Sequence, residues 1–120
     1  MRIAYFDCFS GTSGDMILGA LVDAGADFQA IEAGLKGLGL EGYGLTCRRV
    51  MRAGIAATKV DVVVDETAAE ARKWKDIKDI IESSSLPEAI KEKALAIFGI
   101  IFSAEAAVHA EPVDEVHLHE

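Results

Sequence analysis

The sequence predicts a small α+β domain, in which a short N-terminal strand and a β-hairpin form a small mixed sheet packed by about four helices. Three observations predict it. Apolar residues recur at helical spacing in four separate stretches. Between the second and third of these, from residue 43 to residue 64, the period drops to two, so alternate side chains share a face. The chain also opens on an apolar run, Ile3 to Phe6, that ends in a polar, glycine-rich turn, the pattern of a short buried strand.

Each element follows from its residues. Ile17, Leu18, Leu21 and Val22 give the first helix its apolar spacing. Thr12 with Asp15 fits a capping box at its start, and Gly25 fits a stop. Asp27 is placed to cap a second helix carrying Phe28, Ile31, Leu35 and Leu38, whose end is weakened by Gly34, Gly37 and Gly39. Tyr43, Leu45, Cys47 and Met51 then alternate with Thr46, Arg48 and Arg52. In the run from Thr58 to Val64, Val60, Val62 and Val64 share a face, and Ala53-Gly54 predicts a hairpin or bulged turn between the two runs. Residues 65–73 are charged and alanine-rich, and read as a mobile connection. Trp74, Ile77, Ile80 and Ile81 mark a third helix. Ser85-Leu86-Pro87-Glu88 opens a fourth, with Ser85 as N-cap, Glu88 closing a capping box and Pro87 in the first turn.

The main stripe of that fourth helix is Ile90, Ala94, Ile97, Phe98, Ile101 and Val108, and Ile100 and Phe102 carry it round to a second face. A helix apolar on two sides is either a central core helix or an interface, and the second option makes Ala94 to Val108 an oligomer contact.

The bulk numbers limit the partners. A chain of 120 residues fits one domain, and 51% apolar residues exclude a disordered tail. With 12 Lys+Arg against 20 Asp+Glu and a net charge of -8, the chain lacks the basic patch that a phosphate backbone requires, which excludes nucleic acid. The two cysteines, Cys8 and Cys47, could pair, but a domain of this size has enough core without a disulfide. The longest apolar run, Ala94 to Phe102, falls short of the roughly 18 residues of a membrane span, and the N-terminus has no secretory pattern. No membrane partner and a cytoplasmic location follow as expectations.

Three places carry chemistry. The first is the turn from Asp7 to Asp15, where Ser10, Gly11, Thr12, Ser13 and Gly14 set small residues and hydroxyls between a strand and a helix N-terminus. Amides there can approach an anion closely, and the helix end adds partial positive charge. Neither the lysine-bearing phosphate loop nor the dinucleotide fingerprint is present. Asp7 and Asp15 would repel a bare phosphate but suit a metal-bound phosphate or a cationic ligand. The plain alternative is a well-capped helix start.

The second place is the pair Glu105 and His109, four residues apart on one helix face, which serves either as weak metal donors or as an exposed hydrogen-bonded pair. The third is the end of the chain, where His117 and His119 point to one side if the segment is extended, with Glu115 and Glu120 nearby. Two imidazoles and a carboxylate fit nickel, zinc or another borderline metal. Cys8 would add a thiolate to such a site, or is simply core.

These residues resemble a known family. Phe6-Asp7-Cys8-Phe9-Ser10-Gly11-Thr12-Ser13-Gly14-Asp15-Met16 resembles the opening signature of the nickel-insertion proteins of nickel-pincer nucleotide biosynthesis, the LarC family. Residues 108–120, from Val108-His109-Ala110-Glu111-Pro112 to His117-Leu118-His119-Glu120, resemble its second signature. Lys93 to Phe98 and Ala104-Glu105-Ala106 fit between them. The resemblance runs the length of the chain.

The resemblance implies a CTP-dependent enzyme, a lyase-type nickel chelatase, that inserts nickel into a pyridinium-3,5-bisthiocarboxylic acid mononucleotide to make the cofactor of lactate racemase. CTP would act with a divalent cation, Mn or Mg. On this reading the Asp7–Asp15 turn takes the substrate's phosphate and pyridinium ring, and His117, His119 and Glu120 take nickel. Family members continue past the second signature into a CTP-binding part. The expectation is therefore an N-terminal fragment, residues 1–120 as one domain, inactive alone. The alternatives are a nickel-binding, metallochaperone-like module and a structural oligomerisation domain. Thr12 stands where the family has an aliphatic residue, and Arg72-Lys73-Trp74 where a histidine-containing sequence is usual. Gly99-Ile100-Ile101 is more apolar than the charged family sequence, which favours the interface reading of the fourth helix.

Overall fold

The helical spacings become four helices and the alternating region becomes a hairpin in a computed structural model of the chain, which describes residues 1, 3–65 and 71–118. In order, the elements are α1 (Gly14–Asp23), α2 (Phe28–Lys36), β1 (Tyr43–Arg52), β2 (Ile55–Val64), α3 (Trp74–Ser83) and α4 (Glu88–His109). The α+β class holds. The connection expected over residues 65–73 lies, at residues 66–70, outside the described residues.

The sheet differs from expectation in one respect. It is a two-stranded ribbon of β1 and β2, and residues 3–8 form no strand. Ile3 and Tyr5 are 80% and 87% exposed, so the apolar run meets neither a core nor a pairing edge. An apolar run becomes a strand only where a neighbour takes its amides and carbonyls. The hairpin turn is as predicted: Ala53 (φ 47) and Gly54 (φ 79) both occupy the left-handed region, as the tight two-residue turn between twisted strands requires.

The chain divides into two compact units, Met1–Ile31 with Tyr43–Val63 and Glu32–Gly42 with Val64–Glu120. In the first, α1 lies against the hairpin through Gly19, the buried residue of the helix. A Cβ at that position would sit 2.7 Å from the Thr58 carbonyl oxygen. Only glycine permits backbone to approach backbone so closely. Beside that contact Val60 is buried, the one fully enclosed large side chain described in this unit. Asp27 caps α2 as expected, accepting the Gln29 amide at 2.9 Å.

The second unit is built on α3 and α4. Phe102, Ala106 and Val116 form its buried cluster, with Trp74, Ile77, Phe98, Val113 and Leu118 packed around them. The Trp74 and Phe102 rings lie 5.3 Å apart and tilted by 36°, within the range of favourable aromatic pairs. The buried face of α4 is thus the Phe98-Phe102-Ala106 line. Ile90, Ile97, Ile101 and Val108, expected on the main stripe, are exposed together with Ile100. In a helix apolar on most sides, spacing alone does not select the face; the match to Trp74 does.

The cap of α4 also differs. Pro87 rather than Ser85 is the N-cap of α4. The Ser85 amide instead donates to the Gly37 carbonyl at 3.0 Å, joining the end of α2 to the α3–α4 connection. The Lys73 amide donates to Asp76 at 2.9 Å at the start of α3. After α4, Ala110 takes the left-handed conformation (φ 54). The chain then turns through residues 113–115, buries Val116 and pairs His117 with Lys73 in an antiparallel bridge. Among the described residues no helix is long and apolar enough to cross a membrane.

Two substitutions test these packings. Gly19→Ala should lower stability in urea unfolding, because an overpacking cost of about 1–3 kcal/mol against a rigid carbonyl exceeds the ~1 kcal/mol of helix propensity gained. Phe102→Ala should cost about 3–5 kcal/mol by leaving a cavity under Trp74.

Candidate functional site

The turn from Asp7 to Asp15 is built by two local devices. A β-turn over residues 8–11 closes with the Gly11 amide donating to the Cys8 carbonyl at 3.0 Å, and Gly11 takes φ 77, where glycine is favoured. Two residues later Ser13 becomes the N-cap of α1, and its carbonyl accepts the Ile17 amide at 3.1 Å. The expected Thr12–Asp15 capping box does not form. The cap lies one residue further on, and the Ser13 hydroxyl donates to Asp15 Oδ1 instead of accepting a helix amide.

Asp15 Oδ1 also accepts the Met16 amide at 2.9 Å. The Ser13 hydroxyl, opposed by slight desolvation and aided by the Met16 amide, holds the Asp15 carboxyl below its ordinary value of 3.8. Asp7, Cys8, Ser10, Gly11, Thr12, Ser13 and Gly14 are all exposed, and Asp15 is half-buried. One loop therefore presents every residue expected at this site, with a negative charge fixed at the first turn of α1. The core alternative for Cys8 fails, because residues 3–8 pack in no strand and the thiol is exposed.

The metal candidates are more scattered. Glu105 and His109 do meet, Oε1 to Nε2 at 3.1 Å on one face of α4. His117 is exposed at the bridge to Lys73, whose ammonium reaches Glu115 at 3.1 Å. His119 and Glu120 lie outside the described residues. Among the described residues no three His, Cys, Asp or Glu side chains are grouped to hold a metal ion.

One cluster was not singled out from sequence. At the end of α1, Asp23 Oδ1 accepts from the Thr58 hydroxyl at 2.6 Å and from Arg49 at 2.5 Å, and Arg49 reaches the Thr58 hydroxyl at 3.0 Å. This ties α1 to both strands. The sequence signal was an acid in the last turn of a helix, where the dipole disfavours negative charge and a cation must compensate. Its partners, 26 and 35 residues away, have no such signal.

Comparison with known proteins gives a consistent answer. Residues 4–120 match the family model described as nickel insertion protein. A putative nickel insertion protein of Thermomicrobium roseum is 50% identical over 121 residues, covering all of this chain and 30% of the relative. Proteins described as pyridinium-3,5-bisthiocarboxylic acid mononucleotide nickel insertion protein are 46% identical in Geobacillus kaustophilus and in Desulfitobacterium hafniense. The matches cover all of this chain and 31% and 30% of those relatives. The chain thus spans about a third of the length of the curated relatives it matches. No solved structure matches it.

The Asp23 cluster has a pH signature. Hydrogen bonding from Thr58, then the charge of Arg49, lowers the Asp23 pKa below 3.8 against a small desolvation. A depressed carboxyl contributes stability that is complete above its unfolded pKa and is lost as pH falls through the folded one. Wild type should therefore lose more stability than Asp23→Asn between neutral pH and about pH 3, measured by urea unfolding at both.

Proposed function

Because the chain belongs to the nickel insertion protein family, we propose that it is the substrate-receiving part of an enzyme that inserts nickel into a pyridinium bisthiocarboxylate mononucleotide. The observation that carries this reading is the extent of the family match, residues 4–120, which takes in both the Asp7–Asp15 turn and the histidine-bearing tail. The description of the Geobacillus and Desulfitobacterium relatives supplies the substrate class.

The chemistry of the turn suits such a substrate. Amides at the start of α1 and the exposed Ser10 and Thr12 hydroxyls are donors for a phosphate, the Ser13 hydroxyl being committed to Asp15. Asp7 and the ionised Asp15 offer negative charge to a pyridinium ring. Asp15 is not a loose anion, since Ser13 and the Met16 amide hold it in place. Nickel is cargo here. His117, with His119 and Glu120, forms the proposed receiving point, imidazole being a suitable donor for this metal. Glu105, His109 and Cys8 are secondary donors.

On this reading the activity as a whole is CTP-dependent and of the lyase class. The CTP and Mn or Mg site would belong to sequence that the relatives carry beyond the matched third of their length. The 120-residue chain should then fail to complete insertion by itself. A homo-oligomer contact through the exposed Ile97, Ile100 and Ile101 of α4 and a cytoplasmic location are parts of the same proposal.

Calorimetry with nickel tests the metal half. Wild-type chain should bind nickel, and the double variant His117→Ala/His119→Ala should lose at least tenfold in affinity, about 1.4 kcal/mol. Undetectable binding by wild type, or unchanged binding by the variant, overturns the tail as the receiving point.

A further inference from the structure

Within the first unit a cleft of about 570 Å³ opens between α1 and the hairpin, a volume inside the roughly 300–1,000 Å³ range of small-molecule sites. It lies beside the Gly19 contact, which pins the helix to β2 at one point. From there Ala20 and Ala24 of α1 and Ala57 of β2 leave space that larger side chains would fill, and Met16, Val50 and Val60 complete the apolar wall.

The rim is charged and of mixed sign. Asp15 and Asp23 stand on the α1 side, Arg52 and Lys59 on the hairpin side. Asp15, Asp23 and Lys59 are already engaged, with Ser13, with Thr58 and Arg49, and with Asp61. Arg52 has no hydrogen-bond or ion-pair partner among the described residues. A guanidinium with no partner among the described residues, at the mouth of an apolar cleft, is suited to a phosphate, which it can meet with two parallel hydrogen bonds. The apolar wall suits the face of a flat ring, and the Asp15 carboxylate, held by a neutral hydroxyl and an amide, favours a ring that carries positive charge.

We infer that this cleft is the seat of the pyridinium ring, with Arg52 holding the mononucleotide's phosphate and the Asp7–Asp15 turn forming only its outer lip. The inference rests on the substrate class proposed above and relocates its main contacts from the turn to the helix–hairpin cleft. Asp15 belongs to both, which makes the turn and the cleft adjacent parts of one surface.

Nuclear magnetic resonance titration of the whole chain with nicotinate mononucleotide, a pyridinium carboxylate mononucleotide, tests it. Amides of residues 16–24 and 57–60 should shift. Ala20→Leu, which fills the cleft with a good helix former, and Arg52→Gln should each weaken binding at least tenfold with an unchanged melting temperature. Inorganic phosphate is the second probe, and should be weakened by Arg52→Gln but not by Ala20→Leu. Shifts confined to residues 8–14, or an Ala20→Leu variant that binds as tightly as wild type, overturn the cleft and leave the turn. Shifts in the cleft alone uphold the cleft and remove the turn. No shift anywhere overturns both.

Discussion

Phe102 has no accessible surface, and the arrangement of the second unit follows from how it came to have none. Its ring is covered by Trp74 from α3, by Ala106 one helical turn further along α4, and by Val116 from the segment after α4. Covering it from that side obliges the chain to reverse after α4, which it does through Ala110 in the left-handed conformation and the turn at residues 113–115. With Val116 directed inward, the alternation of an extended segment turns His117 outward and sets it opposite Lys73. The side chain of greatest chemical interest in the tail thus takes its outward placement from a hydrophobic contact with the second half of α4.

Much of the fold was legible in the sequence because the signals were local. Asp27 before Phe28, Ala53-Gly54 between two alternating runs, and Trp74 with Ile77 and Ile81 each encode an element within a few residues. The misreadings share a different origin. Ile3 to Phe6 has the composition of a strand, but a strand is a relation to a neighbour, which composition does not contain. Ser85 has the chemistry of a cap, yet the Gly37 carbonyl, 48 residues away, takes up this residue. On α4 the isoleucines outnumber the residues that are buried, and the choice of face was made by an aromatic partner on another helix.

The candidate site was legible to a similar degree. The Asp7–Asp15 turn is continuous in sequence, so its residues could be named together, and the family resemblance rested on the same run. The cluster of Asp23, Arg49 and Thr58 and the adjoining cleft assemble residues from one helix and two strands. Each of those residues is ordinary in its own neighbourhood. What makes them notable is the close approach of two backbones at Gly19, and a glycine within a helix usually reads only as a local weakness.

The small core of the first unit has a thermodynamic corollary. Val60 is the one large side chain described there as fully enclosed, so packing supplies little of the free energy that holds α1 on the hairpin. By mass action, a ligand present at a hundredfold its dissociation constant adds about 2.7 kcal/mol to whichever conformation binds it. That is comparable with the burial of one or two core side chains, at roughly 1.5–3 kcal/mol each. For this unit, occupancy and folding are of the same magnitude. Any molecule that spans the helix and the hairpin would therefore act as a missing piece of the core as much as a substrate, and the order of the unit would report the concentration of its ligand.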